Sequence, residues 1–187
     1  MKKKTNTLNI FLNTILVGKL TKTSNGEISF NYDNDWIVNG FEISRSLPLQ
    51  EQAYRGEVVS RYFDNLLPDN EEIKALVATK FGAESTRSFD LLTAIGRDCV
   101  GALSFLPEGL EHPLDFELSY SPISDMEIGR RLKSLGSTSP LGMKEGDFRI
   151  SIAGAQEKTA FLKLNGTWKE PHGLTPTTHI LKTSIGA

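Results

Sequence analysis

Phe148-Arg149-Ile150-Ser151-Ile152-Ala153-Gly154-Ala155-Gln156-Glu157-Lys158-Thr159-Ala160-Phe161-Leu162 is the most informative segment of the sequence. It reads as a strand over 148–152, a small-residue loop, and a return strand over 158–164. Ala153-Gly154-Ala155 removes side-chain bulk where the backbone turns, so successive N–H groups can approach a phosphate closely. Lys158 opens the return strand and sets a positive charge beside that loop. Two further extended segments follow, Thr167 to Lys169 and Thr178 to Thr183, the second carrying Lys182 near its end.

That order has a mechanical meaning. A kinase covers its nucleotide phosphates with a small-residue loop between two strands and holds them with a lysine on a third. Each part is ordinary by itself. A glycine in a hairpin loop usually serves only the turn, and a lysine ending a strand is commonly a solvated edge residue. Three other kinase-like dipeptides are decoys. Arg97-Asp98, Asp115-Phe116 and Asp147-Phe148 all precede the loop, whereas a catalytic loop and a metal-binding motif follow the lysine.

Upstream, the pattern is strands and then helices. Leu8, Ile10 and Leu12 alternate with their neighbours, and Asn13-Thr14 turns the chain into Ile15-Leu16-Val17. Glu27 to Tyr32 gives a third strand after Ser24-Asn25-Gly26, and a further extended piece is expected over 42–46, before Pro48. Val58, Val59, Tyr62, Phe63 and Leu66 recur at helical spacing. Pro68-Asp69-Asn70 breaks that helix and caps the next, over 71–81, with Ile73, Leu76 and Val77 inward and Gly82 as its stop. A short helix over 89–95 and a strand over 100–105 follow. The segment from Pro107 to Tyr120 reads as a surface connection, and a helix is expected from Ser124 to about Leu135. Phe63, Leu66, Leu67, Phe89, Leu91, Leu92 and Val100 are assigned to the core. Asp64, Asp69, Arg97 and Asp98 stay open between a buried hydrogen-bond network and a partner contact.

The 187 residues are 39% hydrophobic and 24% charged, as in an ordinary globular protein, and the net charge of −2 gives no electrostatic footprint for nucleic acid. Cys99, the single cysteine, leaves no intrachain disulfide and reads as a small buried hydrophobe. His112, His172 and His179 have no metal-ligand spacing. Polar residues interrupt the apolar ones after Lys2-Lys3-Lys4, and no run is long enough to span a bilayer, so a cytoplasmic location is expected. The fold class is α+β: a mixed N-terminal subdomain of strands and helices, then an antiparallel strand segment resembling a kinase N-lobe. The expected division is a subdomain over 1–107, a connecting segment with a helix over 108–146, and a partial N-lobe over 147–187.

Several strings together resemble the HipA-type toxin serine/threonine kinases. They are Phe63-Asp64-Asn65-Leu66-Leu67-Pro68-Asp69, Phe89-Asp90-Leu91-Leu92, Ile95-Gly96-Arg97-Asp98-Cys99-Val100-Gly101-Ala102, Ser151 to Ala160, and Thr175-Pro176-Thr177-Thr178-His179-Ile180-Leu181-Lys182. They occur in the family's order along nearly the whole chain. The resemblance implies the family's N-terminal region followed by the start of its kinase core. By that likeness Ala153, Gly154, Ala155 and Gln156 form the phosphate-covering loop, Lys158 adjoins it, and Lys182 contacts the nucleotide. Ser151 matches a serine whose autophosphorylation pushes the loop out of its ATP-binding shape, because a phosphate adds nearly two negative charges.

The resemblance also sets what is missing. The chain ends at Ala187, a few residues past Lys182, leaving no sequence for the catalytic Asp or the Mg-binding Asp and Asn. No phosphotransferase activity is expected from this chain alone, and no catalytic or metal-ligating residue is assigned. ATP would be gripped weakly without a C-terminal lobe, with Mg arriving only through ATP. Two main readings stay open, beside a weaker one in which the chain only bridges a HipB-like dimer to its operator complex. In one, the chain is a component of a split toxin–antitoxin system that binds and neutralises a partner kinase carrying the C-terminal lobe, beside a HipB-like DNA-binding protein. In the other, it is a fragment of a persistence-type toxin kinase whose expected substrate is glutamyl-tRNA synthetase. Neither involves direct nucleic-acid or membrane contact.

Overall fold

The computed structural model describes residues 6–98, 102–110, 118–134, 158–172 and 175–183. The chain is α+β, built on two antiparallel sheets. The first holds β1 (Thr7–Leu12), β2 (Ile15–Lys22), β3 (Ile28–Tyr32), β4 (Tyr54–Arg55) and β5 (Leu103–Pro107), in the spatial order β4-β3-β2-β1-β5. The β1–β2 hairpin turns where expected. Asn13, a residue type that tolerates the left-handed region, takes φ 54° there. A register shift between Ile10 and Phe11 marks an irregularity in the ladder, and Leu8, Ile10, Val17 and Leu20 are all fully buried around it.

Three helices complete this core: α2 (Glu57–Asp64), α3 (Glu71–Phe81) and α4 (Ser88–Ile95), after a short α1 (Asn34–Asn39). Phe63 of α2 is fully buried, edge-on to Phe30 at 5.7 Å and Phe105 at 5.9 Å between ring centroids. Such edge contacts place the positive ring rim against a negative face. Asn70 caps α3 by accepting from the N–H groups of Glu72 (2.8 Å) and Ile73 (3.3 Å), and Gly82 ends it in the left-handed conformation. Gly96 follows α4 because a Cβ there would sit 2.7 Å from the Cβ of Phe105.

Two expectations fail in this region, and one helix had not been expected. Residues 42–46 form no strand; the segment has one isolated bridge, Ser44 to Leu47. Tyrosine hydroxyls hold it instead: Tyr32 accepts from the Ile43 N–H at 3.0 Å, and Tyr62 donates to the Ile43 carbonyl at 3.3 Å. Burial pushes the Tyr62 hydroxyl up to about 12, with Tyr32 adding to the shift. Helix α1 went unread because six residues are too few to show a period; its signals are the Asp33 cap onto Asp35 and the buried Trp36. Leu76 is 43% exposed, and Lys74 takes the inward place on α3 instead.

The second sheet runs β6 (Ser119–Pro122), β8 (Thr167–His172), β7 (Lys158–Leu164), β9 (His179–Lys182). Strand β6 begins in the last two residues of the segment read as a surface connection, Pro107 to Tyr120. Its residues are mostly exposed and show no apolar alternation, so only pairing with β8 reveals it. The β7–β8 turn is Asn165-Gly166, with φ 50° and 78°, the positive pair that a two-residue hairpin of right-handed twist demands. Helix α5 (Asp125–Ser134) packs beside this sheet and opens with a capping box. Glu127 accepts from the Ser124 N–H at 2.9 Å, and Ser124 Oγ from the Glu127 N–H at 3.2 Å. Ile123, Ile128 and Phe161 form the buried cluster, flanked by Leu132, Trp168 and Leu181. The expected strand over 148–152, Cys99 and Val100 lie outside the described residues. Among those described, no helix is long and apolar enough to cross a membrane.

Candidate phosphate-facing strand pair

Lys158 opens β7 and Lys182 closes β9, and the antiparallel register sets them directly opposite each other. Two residues separated by 24 positions in sequence thereby put both ammonium groups on one end of the sheet. Burial pushes the Lys158 ammonium below its ordinary value, the Lys182 charge pushes it further, and Asp69 offsets part of this. Like charges directly opposite each other in a ladder are destabilising unless an anion joins them. A polyphosphate is the chemistry such a pair suits: multiple oxygens, more than one negative charge, and a need for several donors.

The end of the strand bearing Lys182 is tied down locally. Thr178 accepts from the Lys163 N–H at 2.7 Å and its hydroxyl lies 2.8 Å from His179 Nδ1. Thr175, almost wholly buried, accepts from the Ser119 N–H at 2.8 Å and so joins the lead-in of β9 to β6. Trp168 stands edge-on to His179 at 5.0 Å, with Lys163 Nζ 4.9 Å from the Trp168 ring centroid. Thr175 and Thr178 went unassigned as positioning residues, although the run Thr175-Pro176-Thr177-Thr178 offered repeated short hydroxyls just ahead of a strand.

Of the other candidates, Ser151 and Ala153 to Gln156 lie outside the described residues. Asp64 pairs with Lys74 at 3.2 Å, and Lys74 also reaches Glu71 at 3.0 Å. Asp69 and Arg97 are exposed rather than buried in a network. Among the described residues, no group of His, Cys, Asp and Glu could hold a metal ion.

Residues 8–106 match the HipA N-terminal domain. The chain belongs to that family. It is similar to the serine/threonine-protein kinase toxin HipA of Shewanella oneidensis, 29% identical over 180 residues, covering 96% of this chain and 40% of the relative. Similarity to Y4mE of Sinorhizobium fredii is 32% over 184 residues, covering 95% of this chain and 43% of that protein. The solved complex of S. oneidensis HipA, HipB and its operator DNA contains a chain of similar fold. It superimposes with a TM-score of 0.64 at 27% identity, over 92% of this chain and 39% of that one. The HipA-type chain described here thus spans about two-fifths of the length of the relatives it matches. Coverage of 92–96% of this chain carries the likeness well beyond residue 106.

Proposed function

We propose that this chain is the N-terminal moiety of a HipA-type toxin–antitoxin system that docks on a serine/threonine kinase lobe, supplies phosphate-holding strands, and regulates the kinase. The observation that carries this reading is the Lys158–Lys182 pairing. It sets two ammonium groups at one end of the β7–β9 pair, the end that residues 153–156 precede in sequence. ATP fits the donor set, since its phosphates would neutralise a pair that is otherwise repulsive. Bound ATP supplies the transferable phosphoryl group. The chain's own part is to orient the phosphates with Lys158 and Lys182, while Mg would enter with the nucleotide. Ser151, two residues ahead of the loop, is the proposed modification site that would displace it.

Neutralisation follows from docking. A chain that holds a kinase lobe in an inactive arrangement lowers its activity without chemistry of its own. Among the described residues β9 is an edge strand, and with Ile180 54% exposed it gives such a lobe an apolar and hydrogen-bonding surface to meet. A HipB-like protein, as found with the S. oneidensis relative, would join the assembly and make the DNA contact. A second reading is favoured by the likeness running along 95% and 96% of this chain in relatives more than twice as long. In it, the same moiety is the N-terminal part of a longer toxin kinase acting on glutamyl-tRNA synthetase.

An affinity capture from the native organism tests the choice. Recovery of a separate kinase-lobe protein whose phosphorylation rate falls when this chain is added supports the regulatory reading. A rate restored by the chain supports the longer-kinase reading. Recovery of no kinase lobe and no effect on one would contradict both.

A further inference from the structure

The end of the first sheet that carries α1 exposes three apolar side chains. Val38, in the last turn of α1, is 79% exposed, and Phe41, just past the helix, is 57% exposed. Ile15, at the start of β2, is 61% exposed. The Asp33 N–H at the α1 cap bonds to the Val17 carbonyl of that same strand, so all three lie toward one end of the sheet. Exposure by itself is ordinary for apolar residues. Here it is joined to rigidity and to charge.

Phe41 is held in place before anything binds. The Trp36 indole N–H donates to the Phe41 carbonyl at 2.9 Å, and the two rings lie 5.4 Å apart between centroids. Between them the Gly40 N–H closes onto the Trp36 carbonyl at 2.7 Å. A Cβ at Gly40 would lie 2.5 Å from the indole ring, so glycine is what lets the chain pass this close. Two residues further on, the Tyr32 and Tyr62 hydroxyls pin the Ile43 backbone. An exposed aromatic ordered in the free chain lowers the cost of binding, because little freedom is left to lose.

The rim of this face is acidic. Between Lys22 and Arg45 the chain has no lysine or arginine, and it carries Glu27, Asp33, Asp35 and Glu42. Asp35 and Glu42 are exposed, one on α1 and one next to Phe41. We propose that this face docks a basic protein segment, which sets an apolar side chain against Val38 and Phe41 and lysines or arginines on Asp35 and Glu42. The carboxylates select the class of partner: they repel nucleic acid and an anionic membrane and attract a cationic surface. The face belongs to the first sheet, so this inference does not rest on the β7–β9 lysine pair.

The test titrates the full 187-residue chain, ¹⁵N-labelled, with a short amphipathic peptide of leucine and lysine, and separately with its leucine and glutamate counterpart. The basic peptide should shift the Val38, Phe41 and Glu42 amides saturably, and added salt should weaken the response. Val38→Ser, at an exposed position that leaves the core untouched, should lower the affinity by roughly tenfold. Asp35→Asn combined with Glu42→Gln should lower it too and flatten its salt dependence. The proposal is overturned by shifts that miss these amides, by unchanged affinity in Val38→Ser, or by an acidic peptide that binds as well. Shifts at the same amides on concentrating the chain alone would assign the face to a second copy, and shifts with phosphatidylglycerol vesicles would assign it to a membrane. Either result also overturns it.

Discussion

Lys158 and Lys182 face each other across the β7–β9 ladder, two like charges held in register by backbone hydrogen bonds. Burial and Lys182 depress the Lys158 ammonium and Asp69 offsets part of this, so the mutual repulsion of the two lysines costs stability. Removing one member should therefore stabilise the chain. Lys182→Gln is expected to raise the urea midpoint at low salt, by about 0.2–1 kcal/mol in free energy, and the gain should shrink as salt screens the charges. A loss of stability would show that Lys182 is held by a compensating partner.

Lys74 behaves in the opposite sense. Burial pulls its ammonium down, but hydrogen bonds to Glu71 and Asp64 outweigh that and leave it above the ordinary 10.5. A lysine raised on folding contributes stability that is fully present below 10.5 and lost as pH rises through its folded value. Both carboxylates are largely exposed, so the pairs are worth about 0–1 kcal/mol. Lys74→Met keeps the buried stem and should cost no more than that near neutrality. On passing above pH 10.5, wild type should lose more stability than Lys74→Met, as followed by denaturation across that range.

Phe63 and Leu76 separate core from surface on neighbouring helices. Phe63 is fully buried against Phe30 and Phe105, so Phe63→Ala should cost about 3–5 kcal/mol. Leu76 is 43% exposed, and Leu76→Ala should fall within about 0.5 kcal/mol of wild type. Thermal unfolding of the two variants checks the inward assignment of Lys74 in place of Leu76.

Asn70 tests a helix start. Its side chain satisfies two N–H groups of α3 that have no partner inside the helix. Asn70→Ala should cost about 1 kcal/mol, and Asn70→Asp should retain most of the stability. Equal losses in the two variants would contradict the capping role.

The first sheet and its helices were legible wherever the signal was local. Leu8, Ile10 and Leu12 around the Asn13 turn, the Phe63 periodicity, the Asn70 cap and the Gly82 stop each specify structure within a few residues. What was missed depends on distant partners. Strand β6 exists because β8 pairs with it, and residues 42–46 owe their path to Tyr32 and Tyr62 hydroxyls from other elements. Leu76 and Lys74 trade places because hydrophobicity alone ignores a lysine stem that can bury its carbons while its head reaches carboxylates. Asn165-Gly166 is a local hairpin-turn signal between the extended segments 158–164 and 167–169. At the candidate site, Lys158 and Lys182 could be named from strand order, but their opposition is a matter of register, which no single strand encodes.

The most direct test of the phosphate-holding role is the dissociation constant for ATP, measured calorimetrically with the kinase lobe docked, for wild type and for a Lys158→Gln, Lys182→Gln double variant. The account predicts at least a roughly tenfold loss of affinity in the double variant, since two charge-assisted donors are removed. Equal affinity in the two proteins would contradict it, and would make the opposed lysines a feature of the sheet rather than of the nucleotide.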